Sequence, residues 1–81
     1  MRIEVPLIWI YNYIMEIKNK NGEWVKIEKG DVLSDGFEEG MVVDIRKDGG
    51  DIWFGVSDMK EGWSMHLREV KEVNGDKVEL A

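Results

Sequence analysis

Met41, Val43 and Ile45 alternate with Val42, Asp44 and Arg46, the two-residue period of a half-buried strand. Asp48-Gly49-Gly50-Asp51 follows, and its adjacent glycines supply the positive φ angles that a tight reversal needs. Beyond it Ile52, Phe54 and Val56 alternate with Trp53, Gly55 and Ser57, which predicts a second strand returning antiparallel to the first. If Ile52, Phe54 and Val56 fill a core, Trp53 faces the other way, beside Asp44 or Arg46 on the partner strand.

Residues 3–17 are rich in β-branched and aromatic side chains and read as one strand, with Pro6 at its start or on an edge. One face would carry Ile8, Ile10, Asn12 and Ile14, and the other Trp9, Tyr11, Tyr13, Met15 and Ile17. Both faces are apolar, which suits cover on both sides by this chain, a second copy or a partner; the other reading is a long strand whose aromatic face is half exposed. Asn19 to Gly22 is a turn. In Trp24–Glu28, Val25 and Ile27 are expected inward, with Trp24 and Lys26 outward. Lys29-Gly30-Asp31 turns the chain, Val32-Leu33 is a short extended piece, and Ser34-Asp35-Gly36 is a loop.

After the central hairpin, Ser57 to Gly62 reads as a polar loop or one helical turn. Trp63 to His66 forms a short strand, with Trp63 and Met65 opposed to Ser64 and His66. Leu67 to Val70 fits a 3₁₀ turn, and Lys71 to Leu80 a last hairpin through Asn74-Gly75. No apolar period of helix length occurs. The pattern predicts an all-β fold: a small barrel of five to six antiparallel strands with an extra N-terminal strand. Residues 1–81 are read as one domain, with a strand or appendage over 1–17 and the barrel over 18–81.

Composition narrows the chemistry. At 81 residues the chain is near the lower limit for a core that holds without staples, and it has no cysteine for a disulfide or thiolate metal site. That favours a reducing compartment, and the expected location is the cytoplasm. Seventeen acidic residues against eleven basic ones leave a net charge of −6, which argues against direct nucleic-acid binding. The apolar run Val5 to Met15 is too short, and too interrupted by Pro6, to span a membrane as a helix. With Glu4 close behind Arg2 and no small-residue cleavage site after it, it does not read as a signal peptide.

His66 is the only histidine and has no Cys or Asp at ligand spacing, so no metal is expected. Ser64 and His66 only share a strand face, and Gly49-Gly50 does not open a helix as a phosphate loop would. No catalytic residue or cofactor is assigned; the chain reads as a non-enzyme. Acidic side chains gather at Glu28, Asp31, Asp35, Glu38, Glu39 and Asp44, with Lys29 the only base among them.

The run Lys29-Gly30-Asp31-Val32, the segment Gly36 to Ile45, Trp53 to Val56 and Leu67-Arg68-Glu69-Val70 together resemble SH3-like barrels. The spacing is similar to that of KOW and Tudor-type domains and of small SH3-like bacteriophage proteins, and the likeness covers roughly residues 28–73. It implies a barrel and a binding role. KOW domains that bind ribosomal RNA are basic, and this chain departs from them. Tudor-type domains hold methylated cations in an aromatic cage, to which Trp24, Trp53 and Trp63 would be the contributors.

Two functional expectations follow. The first is a protein-interaction module, of the kind a phage or mobile element uses as an inhibitor. Trp53, Trp63, Tyr11 and Tyr13 would supply the apolar contact. Asp35, Glu38, Glu39 and Asp44 would steer it to a basic surface, and the N-terminal strand would build a homo-oligomer. The alternative is an oligomer that sequesters a small nucleotide-like ligand. Trp24 or Trp53 would stack on it, His66 or Arg68 would hydrogen-bond it, and Arg46, Lys47, Arg68 and Lys71 would meet its phosphate.

Overall fold

The structure, a computed structural model, describes the backbone of residues 8–11 and residues 14–80 in full. It is all-β, as the alternation predicts. The strands are β1 (Ile8–Tyr11), β2 (Ile14–Lys18), β3 (Trp24–Glu28), β4 (Val32–Ser34), β5 (Glu39–Asp48), β6 (Asp51–Ser57), β7 (Gly62–His66), β8 (Glu72–Val73) and β9 (Asp76–Lys77). They form two antiparallel sheets, β1-β2-β3 and β7-β6-β5-β4-β8-β9. A 3₁₀ turn, Leu67–Glu69, joins β7 to β8.

One core lies between the sheets. Met15, Ile17 and Ile27 come to it from the first sheet; Leu33, Val42, Ile52, Phe54, Val56, Met65 and Val73 come from the second. Val70 seals it behind the 3₁₀ turn. Residues 15 and 17 therefore belong to the same core as the rest of the chain. Backbone bonds lace the sheets together, from Gly30 N–H to the Val42 carbonyl at 2.9 Å and from Lys20 N–H to the Glu79 carbonyl at 2.9 Å.

Two expectations are corrected. Residues 3–17 are not one strand, because β1 and β2 pair antiparallel with Tyr11 opposite Ile14. An unbroken apolar run fits a long strand and a folded-back pair equally well, and only pairing tells them apart. The second correction concerns β5. Simple alternation groups Met41, Val43 and Ile45, yet Val42 is the fully buried residue while Met41 and Val43 are exposed.

A bulge causes this. Val42 pairs with Val56 and Asp44 with Gly55, so Val43 is an extra residue and the inward parity shifts beyond it. Ile45 then packs against the core opposite Phe54. The Asp44 carboxylate accepts the Gly55 N–H at 3.0 Å across the bulge. A Cβ on Gly55 would collide with that Asp44 oxygen, so any other residue here would force the carboxylate to move and give up its bond.

Gly55→Ala is expected to destabilise the fold by about 1–3 kcal/mol, as overpacking does. In a domain this size that lowers Tm by roughly 5–20 °C in thermal denaturation followed by circular dichroism. The double variant Asp44→Ala/Gly55→Ala should recover part of the loss. Additive losses would show that the clash is not the cause.

Candidate functional site

The outer face of β5-β6-β7 is laid out in cross-strand rows. Arg46, Trp53 and His66 make one row; Asp44, Gly55 and Ser64 the next; Met41, Ser57 and Gly62 the third. Gly55 leaves a gap in the middle row. Arg46 crosses it, its Nη2 donating to Ser64 Oγ at 2.8 Å and its Nε standing 3.7 Å from Asp44 Oδ1. Both ends of that ion pair are well exposed, so it orients the guanidinium and adds little stability. Arg46, Lys47, Asp48, Trp53 and Ser64 line the shallow open depression that results.

Trp53 is held from the other side. Its ring meets the His66 ring edge-on, with centroids 4.8 Å apart and planes at 87°. His66 is fixed in turn: Nδ1 accepts the Arg68 N–H at 3.0 Å, and the His66 N–H donates to Glu69 Oε1 at 2.8 Å. This caps the 3₁₀ turn. Because Nδ1 accepts, Nε2 carries the proton and donates to Asp51 Oδ1 at 3.0 Å. Both ring nitrogens are occupied and Ser64 Oγ is bonded to Arg46, so Ser64 and His66 do not form a nucleophile–base pair.

The end of the sheet carries a different surface. The β4–β5 and β6–β7 connections are both four-residue loops built on the same sequence, Ser-Asp-x-x-Glu at Ser34–Glu38 and again at Ser57–Glu61. In each the Asp N–H donates to the Glu carbonyl, at 3.1 Å for Asp35 and 2.9 Å for Asp58. Each Asp carboxylate accepts two loop N–H groups. Asp35 takes those of Glu38 and Phe37, both at 2.8 Å. Asp58 takes those of Glu61 at 2.8 Å and Lys60 at 2.7 Å. These bonds hold both carboxyls below the ordinary aspartate value of 3.8.

The two loops leave from the same end of the sheet, two strand spacings or about 10 Å apart. Each presents one apolar side chain to solvent, Phe37 at 94% exposure and Met59 at 101%. Met41 and Val43 lie exposed on β5 below them. Val43 Cγ2 is 3.5 Å from where a Gly55 Cβ would sit, so it reaches towards the gap next to Trp53.

The structure brings together Trp53, His66, Arg46 and Asp44 on the outer face, with Asp35, Glu38 and Glu39 at the loop end; Lys47 borders the depression but pairs with the inward-facing Ile52. Trp63 is elsewhere. It packs on the core side, with its ring 3.0 Å from where a Gly40 Cβ would stand, and so does not join Trp53. Trp24 belongs to the other sheet, with Lys18 Nζ 5.6 Å from its ring centroid. Arg68 bonds His66 through its backbone N–H and borders two other clefts. Tyr13 and the Tyr11 side chain lie outside the described residues.

Phe37, Met41, Val43 and Met59 escape a reading by alternation. The repeated Ser-Asp-x-x-Glu is the signal that marks the first and last as loop-tip residues. Among the described residues no group of three or more His, Asp or Glu side chains is placed to hold a metal, and no helix is long and apolar enough to cross a membrane. Comparison with protein-family models, with curated proteins and with solved structures gives no match.

Ionised Asp35 and Asp58 contribute stability that is complete above the ordinary value of 3.8 and is lost as pH falls through their lower folded-state values. The variant Asp35→Asn/Asp58→Asn should therefore melt below the parent near neutral pH. The gap should narrow as the pH is taken down through the acid range. A gap of constant size would mean that the charges of these carboxylates do not stabilise the loops.

Proposed function

We propose that this domain is a non-enzymatic protein-interaction module that docks, through the loop end of its larger sheet, on a basic surface containing apolar pockets. The observation that carries this is the pair of hydrogen-bonded loops, each holding one apolar side chain in full contact with water. Around them stand Asp35, Glu38, Glu39, Asp58 and Glu61, with Lys60 as the one base in the two loops. The prongs are apolar and the rim is negative, so the complement is positive with hydrophobic recesses.

Magnitudes indicate how much surface takes part. Burying Phe37 and Met59 returns about 1.5–3 kcal/mol each, while association costs about 4–15 kcal/mol. Two anchors alone are insufficient. Met41, Val43 and Trp53 extend the contact down the outer face, and the carboxylate rim accelerates encounter. A partner covered this way loses access to whatever anion its basic surface normally holds, which is how such a module would act as an inhibitor. The resemblance of the sequence to SH3-like barrels implies a binding role of the same kind.

The test is affinity capture from a cell lysate with the full chain, compared across variants. A basic protein should be retained by the parent and by Trp24→Ala. It should be lost by Phe37→Ser/Met59→Ser and by the charge reversal Glu38→Lys/Glu39→Lys/Glu61→Lys. Its association rate should fall about tenfold or more between low and physiological salt. Identical capture by parent and loop variants, an empty result included, overturns the reading.

A further inference from the structure

Beyond the 3₁₀ turn, the chain builds a second surface of opposite sign. A cleft of about 210 Å³ is bordered by Lys20, Arg68 and Lys71, with Val78 and Leu80 on its apolar side and Glu79 at its edge. Its walls are tied to each other through the backbone. Lys20 N–H donates to the Glu79 carbonyl at 2.9 Å, Val78 N–H to the Lys71 carbonyl at 2.9 Å, and Lys71 N–H to the Ser34 carbonyl at 2.7 Å. The cleft is therefore part of the folded framework.

The charges around it are unbalanced. Among the described residues, ion pairs engage Lys26, Arg46 and His66, but none engages Lys20, Arg68 or Lys71, and Glu79 pairs with none of the three. In an acidic chain, three cations thus border one cleft whose lining holds a single carboxylate, Glu79, which pairs with none of them. An oxyanion between them relieves their repulsion and meets the forked guanidinium of Arg68. The half-buried Val78 and Leu80 then offer contact to whatever carries that oxyanion.

We propose that this cleft binds a small organic phosphate, its head between Lys20, Arg68 and Lys71 and its short apolar group against Val78 and Leu80. Phosphate suits three cations better than carboxylate does, because it brings more charge and more acceptor oxygens. The volume restricts the ligand to less than a drug-sized molecule, whose sites begin near 300 Å³. A neighbouring cleft of about 300 Å³ shares Arg68 and Lys71 but is also lined by Asp35, Glu69 and Phe37, so it suits an uncharged extension of the ligand rather than a second phosphate. The site is separate from the Trp53 face and does not depend on the protein-docking reading.

Titration of the uniformly ¹⁵N-labelled full chain tests this, with phenyl phosphate, inorganic phosphate and benzoate as probes. Phenyl phosphate should give saturable amide shifts at Lys20, Arg68, Lys71 and Val78, and leave Trp53 and Ser64 unmoved. Inorganic phosphate should bind the same residues more weakly, and benzoate more weakly than phenyl phosphate. Lys71→Gln and Arg68→Gln should each weaken binding about tenfold, the effect of losing one charge-assisted hydrogen bond. All three cations border solvent, and a ¹⁵N spectrum that matches the parent elsewhere confirms that the fold is kept. Non-saturating shifts, shifts unchanged in both variants, or equal binding of benzoate and phenyl phosphate overturn the assignment.

Discussion

The outer face of the larger sheet depends on one local constraint, the bulge at Val43 closed by the Asp44 carboxylate on the Gly55 N–H. Without the extra residue, β5 would keep one parity along its length, and Val42 and Ile45 would face opposite ways. With it, both turn to the core and Val43 turns out. The same contact favours a glycine at position 55, and the missing side chain opens the gap that Arg46 crosses to reach Ser64. Backbone geometry, core filling and surface relief therefore share one cause.

A domain of this size has little apolar surface to spare. Full exposure of Phe37 and Met59 forgoes burial that would otherwise stabilise the fold. Loop mobility does not explain their position, since each loop is closed by a backbone bond and by a carboxylate that accepts two N–H groups. Both side chains stand in water on loops whose backbones are closed, and none of the described residues covers them. That argument gives the loop end more weight than the half-buried Trp53, which is already partly satisfied by His66.

The −6 overall charge conceals a division of sign. Carboxylates crowd the loop end of the sheet, while Lys20, Arg68 and Lys71 gather behind the 3₁₀ turn. The cleft that includes both Asp35 and Arg68 shows how close the two regions come. Charge of both signs therefore meets beside the β4–β5 loop, where the net charge alone would suggest a uniformly acidic surface.

Much of the fold was legible in the residues themselves. Strand alternation placed Ile52, Phe54 and Val56 inside and Trp53 outside, and Asn74-Gly75 and Gly49-Gly50 marked two reversals, with positive φ at Asn74, Gly75 and Gly49. Those features depend on near neighbours, and near neighbours are what a sequence displays. Other features depended on how segments pair rather than on what they contain: the fold-back of β1 on β2, the parity shift at Val43, and the meeting of Lys20 with Arg68 and Lys71. Register is a property of two strands at once, and a slip of one residue exchanges the faces of a strand. The sequence alone determined which residue types were available for binding; only the tertiary structure decided which of them share a surface.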